Sequence, residues 1–193
     1  MRKFKLIFIG LSFVISFTSF GASSSGGLGI NVGAGLPFLT QAGINYVASQ
    51  RFSFSLGYNL LSLDNGLASV KLSMPELLVH YHPFSGAFFI AAGVGQESLE
   101  ATSSDTSGNS VTLKVDASTF IGKLGWMWGA ANGGFWFGID YSFVSPSGGD
   151  PEITTTGSIA TTSQSYLDVV EAGSDFGDTA YGNLTFLRFG YLF

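Results

Sequence analysis

The sequence predicts an eight-stranded antiparallel up-and-down transmembrane β-barrel, all-β apart from a short helix in its last outer loop. Three observations carry that prediction. The chain ends on an alternating run, Thr185, Leu187, Phe189, Tyr191 and Phe193, which sets a stripe on one face of a final strand. Seven further period-two runs precede it, joined alternately by tight and by long connections. Mean hydropathy is positive, at +0.36, yet beyond the N-terminal segment no apolar run reaches the roughly 18 residues of a spanning helix. A membrane chain without such a helix must close its backbone hydrogen bonds between strands, and a closed barrel does so.

The N-terminus predicts export. Arg2, Lys3 and Lys5 form a basic segment, Leu6 to Phe17 is apolar, and Thr18 to Ser25 is small and polar. This is the pattern of a secretory signal peptide, cut after Gly21 or Ala22, so residues 1–22 are assigned to the signal and residues 23–193 to one barrel domain. The apolar run is short for a membrane anchor and is interrupted by Ser12 and Ser16. The chain has no cysteine, which excludes disulfides and a lipidated N-terminal cysteine. Three of the eight Lys and Arg lie in the signal, leaving five against 13 acids in the mature chain. That balance argues against a nucleic-acid partner.

The eight strands are read as Leu28–Leu36, Gln41–Ala48, Phe52–Leu61, Ala68–His82, Ala87–Leu99, Val111–Trp128, Gly134–Val144 and Gly182–Phe193. Most reach the 9–11 residues a tilted strand needs to cross the hydrocarbon layer. Ser49–Arg51, Pro83–Gly86 and Gly129–Gly133 are tight turns, whereas Ser62–Leu67, Glu100–Ser110 and Ser145–Tyr181 are long and polar. Short turns on one side and long loops on the other put both termini in the periplasm. Only the first outer connection, around Pro37–Thr40, is short.

The faces follow from parity. Leu28, Ile30, Val32 and Ala34; Phe52, Phe54, Leu56, Tyr58 and Leu60; Phe88, Ile90, Ala92 and Val94; and Phe135, Phe137, Ile139, Tyr141 and Phe143 make outward stripes free of charge. The opposite parity is small or polar, as in Ser53, Ser55, Gly57 and Asn59. The fourth strand breaks the pattern: Val70, Leu72 and Met74 share one parity, Leu77, Val79 and Tyr81 the other. A bulge at Pro75, which has no ladder donor, is expected to flip the register there. Tyr81, Phe84, Trp126, Trp128, Phe135, Tyr191 and Phe193 gather at the periplasmic strand ends as an interfacial aromatic girdle.

Four charges fall within the spanning segments: Glu76, Lys123, Asp140 and Arg188, the last three inward by parity and Glu76 inward given the bulge at Pro75. Lys123 and Asp140 lie at similar distances from the Gly129–Gly133 turn and are expected to face one another across an antiparallel pair. An eight-stranded barrel is just wide enough for side chains to fill it, so these ions must pair, and a plugged lumen is the expected result. His80 and His82 share the inward face near the periplasm. Two histidines fall short of a zinc site, and Glu76 lies about 13 Å along the strand from His80. No metal, no cofactor and no catalytic group is assigned, and no G-x-S-x-G motif occurs.

Ala101–Ser110 and Ser145–Gln164 have the composition of solvated loops. Within the long connection, Ser163–Ala172 fits a short helix ended by Gly173, with Tyr166, Val169 and Val170 on one face directed to the barrel mouth. Asp150 and Glu152, and Asp168, Glu171, Asp175 and Asp178, form acidic clusters read as solvated. Only Val111–Ser118 reaches above the membrane, so no large protruding sheet is expected.

With its signal peptide, eight alternating strands, short and long connections in alternation, and the terminal LTFLRFGYLF, the mature chain resembles the small outer-membrane β-barrels of the OmpA/OmpX type. The resemblance implies a Gram-negative outer membrane, lipid and lipopolysaccharide as surroundings, and a monomer. It also implies that Phe189, Tyr191 and Phe193 form the signal read by the barrel-assembly machinery. A soluble peptidoglycan-binding domain does not follow the barrel, so a cell-wall role is not implied. The expected role is structural or one of surface interaction, without enzymatic activity. Two alternatives are a narrow porin-like channel and a lipid-modifying enzyme, the latter using His80.

Overall fold

The computed structural model describes residues 26–64, 66, 68–84, 86–104, 109–129, 133–157 and 176–193. The signal peptide expected over residues 1–22, the helix expected over Ser163–Ala172 and the acids Asp168, Glu171 and Asp175 lie outside the described residues.

Among the described residues nine strands form: β1 (Gly27–Leu36), β2 (Thr40–Val47), β3 (Phe52–Asp64), β4 (Ala68–Tyr81), β5 (Phe88–Ser104), β6 (Ser110–Trp128), β7 (Gly134–Ser147), β8 (Pro151–Thr156) and β9 (Tyr181–Leu192). Sequence neighbours pair antiparallel from β1 to β7, β9 joins β7, and β1 pairs with β9 to close the ring. Eight strands therefore make a closed up-and-down barrel, and closure leaves no edge in its wall.

β8 was not expected from the sequence. It prolongs β7 along the same partner: Ser118 of β6 faces Ser147, and three residues further up Val115 faces Pro151. One extra residue is taken up between them, at the turn containing Gly148 with its φ of 76°. β5 and β6 rise with it, paired as far as Ser104 and Ser110. β4 and β3 pair to the same height, at Ala68↔Ser103 and Asp64↔Ser69, so a sheet of five strands stands above the barrel, beyond the expected reach of Val111–Ser118 alone, and Ala101–Ser104 is strand rather than loop. Its outward side is polar, with Lys114 and Asp116 ion-paired at 2.8 Å. At the end of the long connection, residues 176–178 form a helical turn.

The wall is apolar outside. Leu28, Ile30, Val32, Leu56, Leu77, Ile90, Val94, Phe120, Phe143 and Phe189 are all exposed. Among the girdle residues, Phe135 is 83% exposed, while Tyr81 and Trp126 are about 40% exposed because each rests on a neighbouring ring. Trp128 stacks on Phe137 at 5.1 Å, and Phe135 and Phe193 each meet Tyr191 edge-on at about 5 Å.

Two register expectations are corrected. β4 has no bulge: its pairing with β3 runs unbroken from Phe52↔Tyr81 to Asp64↔Ser69, so one parity holds throughout. Leu72 and Met74 therefore face the lumen and are buried, while Pro75 faces outward, opposite Tyr58. The irregularity lies in β9. β1 pairs Ala34 with Leu187 but Gly35 with Thr185, so Phe186 is the extra residue. The bulge puts Phe186 and Leu187 both outside and turns Thr185, expected in the outward stripe, fully inward. Without it Leu184 and Phe186 would enter the lumen and Asn183 and Thr185 would meet lipid, where polar groups lack partners.

Across β7 and β9, Trp136 faces Gly190. A methyl group on Gly190 would collide with the Trp136 indole. An aromatic ring covering a cross-strand glycine is a known stabilising pair. Gly190→Ala should therefore expel the indole, at about 1–3 kcal/mol for overpacking. The expected readout is a lower temperature for loss of the compact gel form, with a changed tryptophan emission.

Candidate functional site

The interior is the chemically distinctive region. Its centre holds all four charges singled out in the sequence. Lys123 Nζ lies 3.0 Å from Glu76 Oε1 and 3.7 Å from Asp140 Oδ1. Arg188 reaches Asp140 Oδ2 at 3.1 Å. Two cations and two carboxylates, each less than a tenth exposed, balance one another. Lys123 and Asp140 are not directly opposed as expected. Ser142 faces Lys123 and Gly125 faces Asp140, so the ions meet along the diagonal. That diagonal lets Lys123 span both carboxylates.

Neutral groups complete the network. Gln41 Nε2 donates to Thr185 Oγ1 at 3.0 Å, and Thr185 donates its proton to Asp140 Oδ1 at 3.2 Å. The Gln41 Oε1 accepts from Arg188 at 3.2 Å. Gly57 faces Glu76 across β3 and β4, and a Cβ there would stand 3.0 Å from the Glu76 carboxylate. The glycine thus leaves the space that the acid occupies. Gln41 and Thr185 were not identified in the sequence. The usable signal was spacing: polar residues Asn183, Thr185 and Arg188 change parity, which only a bulge reconciles.

Apolar side chains cap this network at both ends. Toward the outer side, Met74 follows Glu76 on β4, Ile121 follows Lys123 on β6 and Val144 follows Ser142 on β7. With Phe38, Leu72 and Leu78 they form one buried cluster. Phe38 comes from the short first connection, which folds inward, and it is 0% exposed. At the opposite end, beside the tight turns, Val47, Trp136 and Leu192 form a second cluster with Met127 against it.

His80 and His82 face inward near the tight-turn end, as expected, and both are buried. His80 Nε2 is 2.8 Å from Ser55 Oγ, and both histidines lie against the Phe89 ring. A serine hydroxyl within reach of an imidazole is the geometry of a nucleophile and its base. Here neither is accessible. The adjoining chamber, lined by Asn45, Ser53, His80, Asp140 and Arg188 among others, has a volume of about 20 Å³. That is room for one water, with Asn45 Nδ2 and Arg188 Nε unpartnered to bind it. Among the described residues no group of three or more metal-ligating side chains comes together.

These features define a class: a closed eight-stranded antiparallel barrel, apolar outside and with its charges buried inside. In fold it is similar to the crystal structure of Acinetobacter baumannii CarO2, at 10% identity and a TM-score of 0.48, covering 86% of this chain and 98% of that one. It is similar also to Acinetobacter baumannii CarO, at 13% identity and a TM-score of 0.48, covering 86% of this chain and 96% of that one. No protein-family model matches the sequence. No curated protein matches it either.

Proposed function

We propose that the chain is an integral outer-membrane barrel with a structural or surface-interaction role, no enzymatic activity, and a lumen closed by its own side chains. The observation that carries the reading is the inversion of the barrel. Large apolar residues are exposed around the outside while the charges are buried within. A barrel in water would reverse that arrangement. The N-terminal leader and the aromatic terminus support outer-membrane delivery. Closure is supported by the three successive interior layers, two apolar and one ionic. A conducting path would need a continuous polar lining, and an enzyme would need room for a substrate carbonyl beside Ser55 and His80.

The test uses outer-membrane fractions and purified barrel. An unboiled sample should migrate faster than a boiled one, planar bilayers should stay silent, and lipid A from expressing cells should keep its mass. A soluble periplasmic protein without a heat-dependent shift overturns the membrane assignment. Stepwise conductance that changes on neutralising Arg188 or Asp140 replaces closure with a channel. Altered lipid A mass, abolished by His80→Ala, replaces it with an enzyme.

A further inference from the structure

One buried acid takes no part in the central network. Glu97 on β5 is 0% exposed, and among the described residues it makes no ion pair. Its Oε1 accepts a hydrogen bond of 2.6 Å from Tyr181. Its Oε2 has no partner, nor does Thr119 Oγ1, which projects inward from β6 two residues off the register of Glu97. Tyr181 opens β9, and its ring meets two others: Phe176 of the helical turn, stacked at 6.5 Å, and Phe38 at 6.4 Å. Tyr181 therefore joins the first outer connection and the end of the last one; its backbone pairs with Val144 of β7, and among the described residues its phenol hydroxyl is tied to the wall at Glu97.

We propose that Glu97 and Tyr181 form a proton-dependent latch that fastens the start of β9 and the turn before it across the outer end of the lumen.

The surroundings decide its protonation. At this level the wall's outward residues are Ser73, Gln96, Ser98, Asp116 and Ser118, so Glu97 stands above the apolar belt that ends at Val94 and Phe120. On the inner side Met74 of β4 and Ala117 and Thr119 of β6 adjoin it, and none is ionisable. Glu76 lies one inward position below Met74 and is already engaged by Lys123. Lys71, Glu100, Lys114 and Asp116 are exposed to solvent, and Asp178 of the turn is exposed as well. Phe38 and Phe176 bring no charge. Burial without a cation pushes the Glu97 carboxyl up to about 7, although the Tyr181 bond works against that rise.

The sign follows from linkage. Closed, the carboxyl keeps its proton; released into water, it returns to its ordinary value of 4.5. The latch is strongest below that ordinary value. It weakens as pH rises toward about 7 and stays at its weakest above. On opening at higher pH, the proton passes to bulk water and the carboxylate becomes solvated.

Hydrogen exchange of the folded barrel in detergent micelles tests this, with rates divided by the intrinsic chemical rate at each pH. Protection of residues 177–183 should fall at least tenfold between pH 4.5 and pH 8, while residues 188–192 stay protected. Glu97→Gln keeps an acceptor that cannot ionise, so it should stay protected at both pH values. Tyr181→Phe should be unprotected at both. A wild-type barrel with no pH dependence over 177–183 overturns the latch, and this reading needs no variant to fold. A Glu97→Gln barrel that retains the wild-type pH dependence overturns it equally.

Discussion

Replacing Lys123 with methionine should destabilise the barrel by about 3–5 kcal/mol, the usual cost of leaving a buried charge without its partner. Lys123 is the cation that touches both carboxylates, Glu76 at 3.0 Å and Asp140 at 3.7 Å. Methionine fills similar volume and removes only the charge. Asp140 keeps Arg188 at 3.1 Å, but Glu76 loses the one ion pair it makes among the described residues and remains buried. The double substitution Lys123→Met with Glu76→Gln restores neutrality, leaving Asp140 and Arg188 as a balanced pair. It should recover most of the loss. Urea unfolding of the barrel in lipid or detergent measures all three forms. A single substitution costing less than about 1 kcal/mol would reduce the network to one that solvent already reaches, as exposed pairs are. A double variant no better than the single would assign the loss to packing instead of charge.

How much of this site the sequence disclosed depends on which side of the wall is considered. Outside, the stripes on β1, β3, β5 and β7 alternate strictly, because lipid demands an apolar residue at every second position and the adjacent residue has another solvent. Those four stripes stand where parity put them. Inside, apolar and polar residues are both admissible, so parity loses its meaning. Leu72 and Met74 read as lipid-facing only if a lumen must be small or polar, whereas its outer half is packed like a soluble core. That assumption required a bulge at Pro75, which does not occur. In β9 the reverse error arose. Leu184, Phe186, Leu187 and Phe189 are apolar on both parities, which masks the bulge at Phe186. Charges were easier, since an ion within a spanning strand has only one tolerable side. Their partners Gln41 and Thr185 carried no such constraint. β8 was missed for a related reason: PEITTT at Pro151–Thr156 lacks a buried face and is held by pairing with β6 alone.

Phe38→Ala tests the outer cap, with an expected loss of about 3–5 kcal/mol, the range for removing a buried aromatic side chain. Phe38 is 0% exposed and packs with Leu72, Met74, Leu78, Ile121 and Val144. These neighbours are fixed on a hydrogen-bonded wall and cannot collapse inward, which favours the upper part of that range. Phe38→Leu keeps most of the volume and should cost less than about 1.5 kcal/mol. The variant also separates two kinds of closure. Removing the ring opens only the apolar layer; the buried ion pairs of Glu76, Lys123, Asp140 and Arg188 remain beneath it. Planar bilayers with Phe38→Ala should therefore remain silent although the barrel is weaker. Conductance from this single substitution would mean that the aromatic stopper alone closes the lumen, with the ionic layer permeable behind it. Unfolding experiments then read the packing of the outer cap and bilayer recordings read the ionic layer, so one protein preparation distinguishes stability from closure.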